Sequence, residues 1–282
     1  MESLSGRMDH LQMAIGRSEN RQVQRMNPED LRDAEFSVFS QGGADGLLQH
    51  LLRHVTVSHP IFVEFGVGDY RESNTRFLAV NNHWSGLLLE ADASAVAAIR
   101  QDPIYWQRNL KAAQAFITRD TIDGLLVQHG MKGPIGVLSI DVDGNDYWIW
   151  DTIHSVTPAI VIVEYNHRFG PERAVSIPYD PEFRRDRAHP SMIYYGASLA
   201  ALAALGRRKG YALVGCTRLG NDAFFVRKEL LSLPLRERTP ADAFVASPCR
   251  ESRDAAGALA YLSPEEEQKI LAGLPLVDVT LL

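Results

Sequence analysis

Short, almost wholly apolar runs punctuate the middle of the chain: IFVEF (61–65), GLLLE (86–90), AFIT (115–118), GVLSI (136–140) and AIVIVEY (159–165). None alternates strictly between apolar and polar positions, so each predicts a strand covered on both faces. Between them, segments 72–81, 93–101, 121–129 and 146–154 carry helix-like spacing and supply the covers. Upstream, Leu47, Leu48, Leu51, Leu52 and Val55 fall at helical spacing within 42–55, before His59 and Pro60 interrupt. Strands alternating with helices give an α/β, doubly wound, mostly parallel sheet.

That rhythm changes near the end. Residues 195–211 (YGASLAALAALGRRKGY) predict one Ala/Leu-rich helix, and two strands follow, YALVGCT and NDAFFVRKEL, with only Arg218 to Gly220 between them. So short a connection holds no crossover helix, so the two strands form an antiparallel hairpin at or near the sheet edge. Residues 1 to about 34 are polar with weak helical periodicity, which suits an accessory arm or a partly ordered tail better than core. Beyond Leu230 the chain is rich in proline and charge, and SPEEEQKILAGL (263–274) predicts a short capped helix. The expected organisation is an N-terminal arm (1–41), a central domain (42–230) and a C-terminal extension (231–282). The two flanking segments are candidates for pocket closure or for contacts in a homo-oligomer.

Composition narrows the class. A chain of 282 residues that is 45% hydrophobic can bury a sizeable core without a disulfide or metal staple. A formal charge of -6 argues against nucleic acid as a partner. The N-terminal twenty residues lack a continuous apolar core, and no stretch approaches bilayer length, so a protein without a membrane span and not secreted is expected. Cys216 and Cys249 show neither CxxC spacing nor a nearby His, which fits the reducing cytoplasm.

Chemistry enters with FVEFGVGDYRESNT, where Gly66 and Gly68 follow the first strand directly and a helix start lies just beyond. Such a turn lets backbone approach a ligand, although an ordinary tight βα turn has the same composition. Glu64 sits at the end of the strand, and Glu90 ends the next one, where acids accept hydrogen bonds from ribose hydroxyls. Arg71 occupies the place of the third glycine of a dinucleotide fingerprint. A pyrophosphate cradle is thereby disfavoured, and a nucleoside without bridging phosphates is favoured. A short oxidoreductase is disfavoured also by the lack of a Tyr-x-x-x-Lys pair.

The series EFGVG, LLLEAD, FITRDTIDGLL and LSIDVDGNDYW, ending in a helix and an antiparallel hairpin, resembles class I S-adenosylmethionine-dependent methyltransferases, and most closely the FkbM-type group. The likeness covers roughly residues 42–230. It implies a Rossmann-like seven-stranded sheet whose first strand lies beside its fourth, with the cofactor across their carboxyl ends. By that likeness Gly66 and Gly68 approach the methionine part of S-adenosylmethionine, Glu64 lies under its amino group, Glu90 takes the ribose, and Asp120 and Thr121 border the adenine.

In that arrangement SIDVDGNDYWIW (139–150) and the end of the fifth strand share one mouth. Residues two apart in extended backbone face the same way, so Asp141 with Asp143, and Glu164 with Asn166, would present paired oxygens to a hard cation such as Mg²⁺. The layout is similar to that of cation-dependent O-methyltransferases of the caffeoyl-CoA type, although Glu-Tyr-Asn is one residue longer than the Asp-Asn pair there. Asp141, Glu164 and Asn166 are the expected metal ligands, while Asp143 or His167 is the candidate proton acceptor. The plainer readings are that Asn145 or Asp146 caps the next helix, that Tyr147, Trp148 and Trp150 are core, and that His167 is merely a loop histidine. The long loop 168–194 carries Arg168, Arg173, Arg184, Arg185 and Arg187, which suits either an anionic acceptor or a solvated basic surface. The expected activity is methyl transfer to a hydroxyl of a sugar, glycan intermediate or related small molecule; the alternative is a non-catalytic nucleotide-binding or assembly module.

Overall fold

A computed structural model describes residues 4–281. The strands are β1 (Ile61–Phe65), β2 (Ser85–Glu90), β3 (Leu110–Gln114), β4 (Gly133–Ile140), β5 (Val156–Glu164), β6 (Val175–Ser176), β7 (Tyr211–Cys216), β8 (Asp222–Arg227) and β9 (Val277–Asp278). Seven of them form one sheet in the order β3-β2-β1-β4-β5-β8-β7. Pairs among β1 to β5 are parallel, whereas β8 runs antiparallel to both β5 and β7. This is the doubly wound sheet with a terminal hairpin that the apolar runs predict. The order reverses between β1 and β4, the point at which such sheets open a crevice beyond the carboxyl ends of their strands.

Both faces are covered. Phe62, Val137, Ile160 and Phe224 pack on one side against helix Ala44–His54 and the N-terminal helix, while Val63, Leu138, Val161 and Phe225 pack on the other with Trp150 and Leu202. The sequence misplaces one strand: AFIT follows β3 instead of forming it, and the strand is LKAAQ (110–114) at the sheet edge. The N-terminal arm is a helix from Leu4 to Met26 that buries Met13 and Val23 in the core and leaves Met8, Leu11 and Ile15 exposed. Residues 1–3 of the predicted arm and residue 282 of the predicted extension lie outside the described residues.

The C-terminal extension is tied to the loop 168–194. β9 pairs antiparallel with β6, the buried Arg168 donates through Nε to Glu267 at 2.8 Å, and the Tyr194 hydroxyl donates to the Pro275 carbonyl at 2.6 Å. Helix Pro264–Ala272, which presents Glu267, opens with a complete capping box between Ser263 and Glu266. Ser263→Ala removes one half of it and should cost about 1 kcal/mol, measured as a lower urea midpoint, with hydrogen exchange rising first in the helix. Among the described residues no helix is long and apolar enough to cross a membrane.

Candidate functional site

The turns leaving β1 and β4 touch. A Cβ built on Gly66 would lie 1.9 Å from the Asp141 carbonyl oxygen, so the two backbones meet with no space for a side chain, and Gly66 has φ +66°. Gly68 differs: its φ is +52°, and a Cβ there meets nothing within 4 Å. Its N–H donates to Glu90 Oε2 at 2.8 Å, joining the β1 turn to the end of β2. Above these turns lies a cavity of about 530 Å³, bordered by Gly66, Gly68, Glu90, Asp141, Asp143 and Glu164. Ala115, Phe116 and Ile117 close one side of it, and Phe183 and Arg185 reach in from the long loop. The AFIT segment thus borders this cavity through Ala115, Phe116 and Ile117, while Ala115 and Ile117 also pack against the core.

The acids divide into two groups by their partners. Asp146 accepts hydrogen bonds from the Val142 and Gly144 N–H groups at 2.8 and 3.0 Å, which folds the DVDGN turn back on its helix. Burial still lifts its carboxyl to about 6. Asn145 stands at the N-cap position but makes no side-chain cap bond. Asp141, Asp143 and Glu164 are different: each brings a carboxylate oxygen within 4.8 Å of the others. Burial drives both Asp141 and Glu164 well above the usual carboxylate range. Neighbouring carboxylates add to this, Asp146 and Asp143 for Asp141, and Asp141 itself for Glu164. Among the described residues, the guanidinium that pairs with the group is that of Arg185, whose Nη1 donates to Asp143 Oδ1 at 3.0 Å and whose Cζ lies 4.0 Å from the Tyr195 ring centroid.

The remaining predicted residues are dispersed. Glu64 is buried beneath the glycine turn, where its carboxylate accepts from Ser73 Oγ (2.7 Å), Asn74 N (2.9 Å) and both the N–H and hydroxyl of Thr75. It thereby braces residues 73–75 and borders a side recess of about 110 Å³ shared with Gly66, Asp141 and Asp222. Asp120 and Thr121 do not border the main cavity: Asp120 accepts from the Tyr179 hydroxyl at 3.2 Å, and Thr121 turns its hydroxyl to Thr118. His167 lies outside the cavity as well, with burial holding its imidazole down to about 4, and so neutral. Asn166 is turned away, its Nδ2 donating to the Ile193 and Tyr195 carbonyls and its Oδ1 accepting from Arg168 N. Of the five loop arginines only Arg185 borders the cavity; Arg168 is spent on Glu267, and Arg184 pairs with Asp186.

Sequence reasoning missed Asp222. It opens β8 directly opposite Glu164 in the antiparallel register, and burial pushes its carboxyl up to about 7. Reading the hairpin as the neighbour of β5 would have brought it in. Two other clefts of about 570 Å³ each, one beside Arg21, Arg25 and Arg53 and one beside Asp69, Arg76 and Asp102, are not bordered by Asp141, Asp143 or Glu164.

No protein-family model and no curated protein sequence matches the chain. Among solved structures it is similar to the StiE O-methyltransferase segment, at 13% identity and a TM-score of 0.36 over 60% of this chain and 52% of that one. It is similar also to an O-methyltransferase family protein from Burkholderia thailandensis (13%, 0.38, over 80% and 62%). A third is the O-methyltransferase from Bacillus cereus in complex with SAH (16%, 0.37, over 74% and 89%). The chain thus spans only about half to three-fifths of the first two. At these values the likenesses add nothing to the strand order observed directly, and the reading of the site rests on its own geometry.

Proposed function

We propose that the protein is an S-adenosylmethionine-dependent O-methyltransferase of the FkbM-like kind, acting in the cytoplasm on a hydroxyl of a sugar, glycan intermediate or related small molecule. The observation that carries this reading is the contact between the β1 and β4 turns, over which a single cavity joins the glycine turn and Glu90 to the acid cluster. Its volume of about 530 Å³ is within the range of small-molecule sites. With Arg71 in place of a third glycine, the turn favours a nucleoside lacking a pyrophosphate.

The chain's own residues then have distinct tasks. Gly68 leaves its Cα face open to the donor, and Glu90, already accepting from the Gly68 and Asp92 N–H groups, keeps lone pairs for the ribose hydroxyls. The Ala115–Ile117 stretch borders the adenine end, the place first expected of Asp120 and Thr121. With no cation bound, Asp143, exposed at the rim, receives the acceptor's proton as the new carbon–oxygen bond forms, because neutral, half-buried His167 does not border the cavity. Alignment of the hydroxyl against the donor methyl is the protein's main contribution, since the sulfonium already supplies the leaving group.

Asp141, Asp143 and Glu164 fit a hard divalent cation such as Mg²⁺: three carboxylates gather, and Glu164 Oε2 is buried without a hydrogen-bond donor. When bound, such an ion supplies charge that lowers the pKa of an acceptor hydroxyl. Calorimetry with S-adenosylmethionine and S-adenosylhomocysteine tests the reading. Each is expected to bind once per chain, and binding of neither would leave only a non-catalytic module. Full methyl transfer after exhaustive chelation would remove the cation and leave the transferase.

A further inference from the structure

We infer that Asn145 supplies a neutral oxygen donor to the divalent-cation site, completing a set with Asp141, Asp143 and Glu164. This rests on the cation reading above. Asn145 is 7% exposed and borders the same cavity as the three acids. Its Nδ2 donates to the Asp180 carbonyl at 2.8 Å, which fixes the rotation of the amide and leaves Oδ1 as the opposite end. That oxygen is buried and has no hydrogen-bond donor. Nearly all buried side-chain oxygens in folded proteins are partnered, so one left bare beside a cavity points to a ligand that brings positive charge or a donor.

A second bare oxygen makes the same case. Glu164, 9% exposed, has its Oε2 buried and unpartnered on the same cavity. An anion would be repelled here, because Asp146 and Asp222 stand behind the carboxylate trio and, among the described residues, Arg185 is the single guanidinium paired with it. Hard cations take carboxylate and amide carbonyl oxygen together, and an uncharged amide adds a donor without adding repulsion. Asn166, the amide expected from strand spacing, has all its hydrogen-bonding ends committed to the loop, whereas Asn145 has one end held and the other free.

The test is Mn²⁺ binding to the full-length protein, followed by electron paramagnetic resonance, for the wild type, Asn145→Ala, Asn145→Asp and Asp141→Asn. Asn145→Ala is expected to weaken Mn²⁺ at least tenfold, while Asn145→Asp, which keeps an oxygen but cannot donate to Asp180, binds as tightly as the wild type or tighter. A role limited to holding Asp180 would weaken the Ala and Asp variants alike, and that result overturns the inference. Mn²⁺ binding abolished by Asp141→Asn but unchanged in Asn145→Ala overturns it too, leaving the cation reading intact. Absence of Mn²⁺ binding to the wild type at millimolar concentration removes both. Should Asn145→Ala not fold, Asn145→Ser, a favoured residue at a helix N-cap, takes its place with the same expected loss.

Discussion

Gly66→Ala is expected to lower stability by about 3 kcal/mol or more and to abolish binding of S-adenosylmethionine in whatever fraction still folds. The added Cβ would fall 1.9 Å from the Asp141 carbonyl oxygen, and the obstacle is main chain at the end of a central strand, not a side chain that can swing aside. A left-handed φ of +66° adds about 1 kcal/mol for any residue with a Cβ. Relief requires the β1 and β4 turns to separate, and those turns are the floor of the cavity. Gly68→Ala is the matched control. It carries the same backbone cost at φ +52° but meets no atom within 4 Å, so its stability falls by only about 1 kcal/mol while its methyl group faces the donor. Urea denaturation and calorimetry on the two variants separate the effects. Equal unfolding midpoints for Gly66→Ala and the wild type would mean that the turns do not touch.

Much of this floor was legible in the sequence. β1, β2, β4 and β5 are central strands covered on both faces, so their residues are mostly apolar and the runs announce them. β3 sits at the edge, and of its five residues only Leu110 and Ala112 are buried, which leaves too weak a signal beside the more apolar AFIT. The N-terminal helix spreads apolar residues round its cylinder, with Met13 and Val23 inward and Met8, Leu11 and Ile15 outward, and so blurs its own periodicity. The pairing of β6 with β9 joins residues about a hundred positions apart, which no local pattern reports. At the site, the rule that residues two apart face one way holds only while the chain stays extended. β5 ends at Glu164, and Asn166 already caps the turn His167–Phe169 by accepting from Arg168 N. Asn145, whose amide does border the cavity, is a position whose sequence signal was that of a helix cap.

The same acids yield the second large effect, in which stability and activity move in opposite directions. Asp141→Asn should raise stability in chelator by about 1 kcal/mol while lowering methyl transfer on the order of a hundredfold. Burial of Asp141, together with Asp146, Asp143 and Asp222, disfavours its charged form, and the Asp143 backbone N–H that its carboxylate accepts offsets this only in part. The guanidinium nearest to hand is already engaged with Asp143 and with the Met192 carbonyl. An isosteric amide removes that opposition and, with it, the charge that holds a divalent ion. Asp146→Asn should do the reverse to the fold. Its carboxylate accepts two backbone N–H groups from the turn, and exchanging one oxygen for a donor leaves an N–H unpaired in a buried place, at a cost of about 1–3 kcal/mol. Urea midpoints of the two variants in EDTA and in Mg²⁺, read alongside turnover, check both. If Asp141→Asn is the less stable of the pair and retains activity, the cavity carboxylate is a structural cap and the strand-end cluster is not where the acceptor is activated.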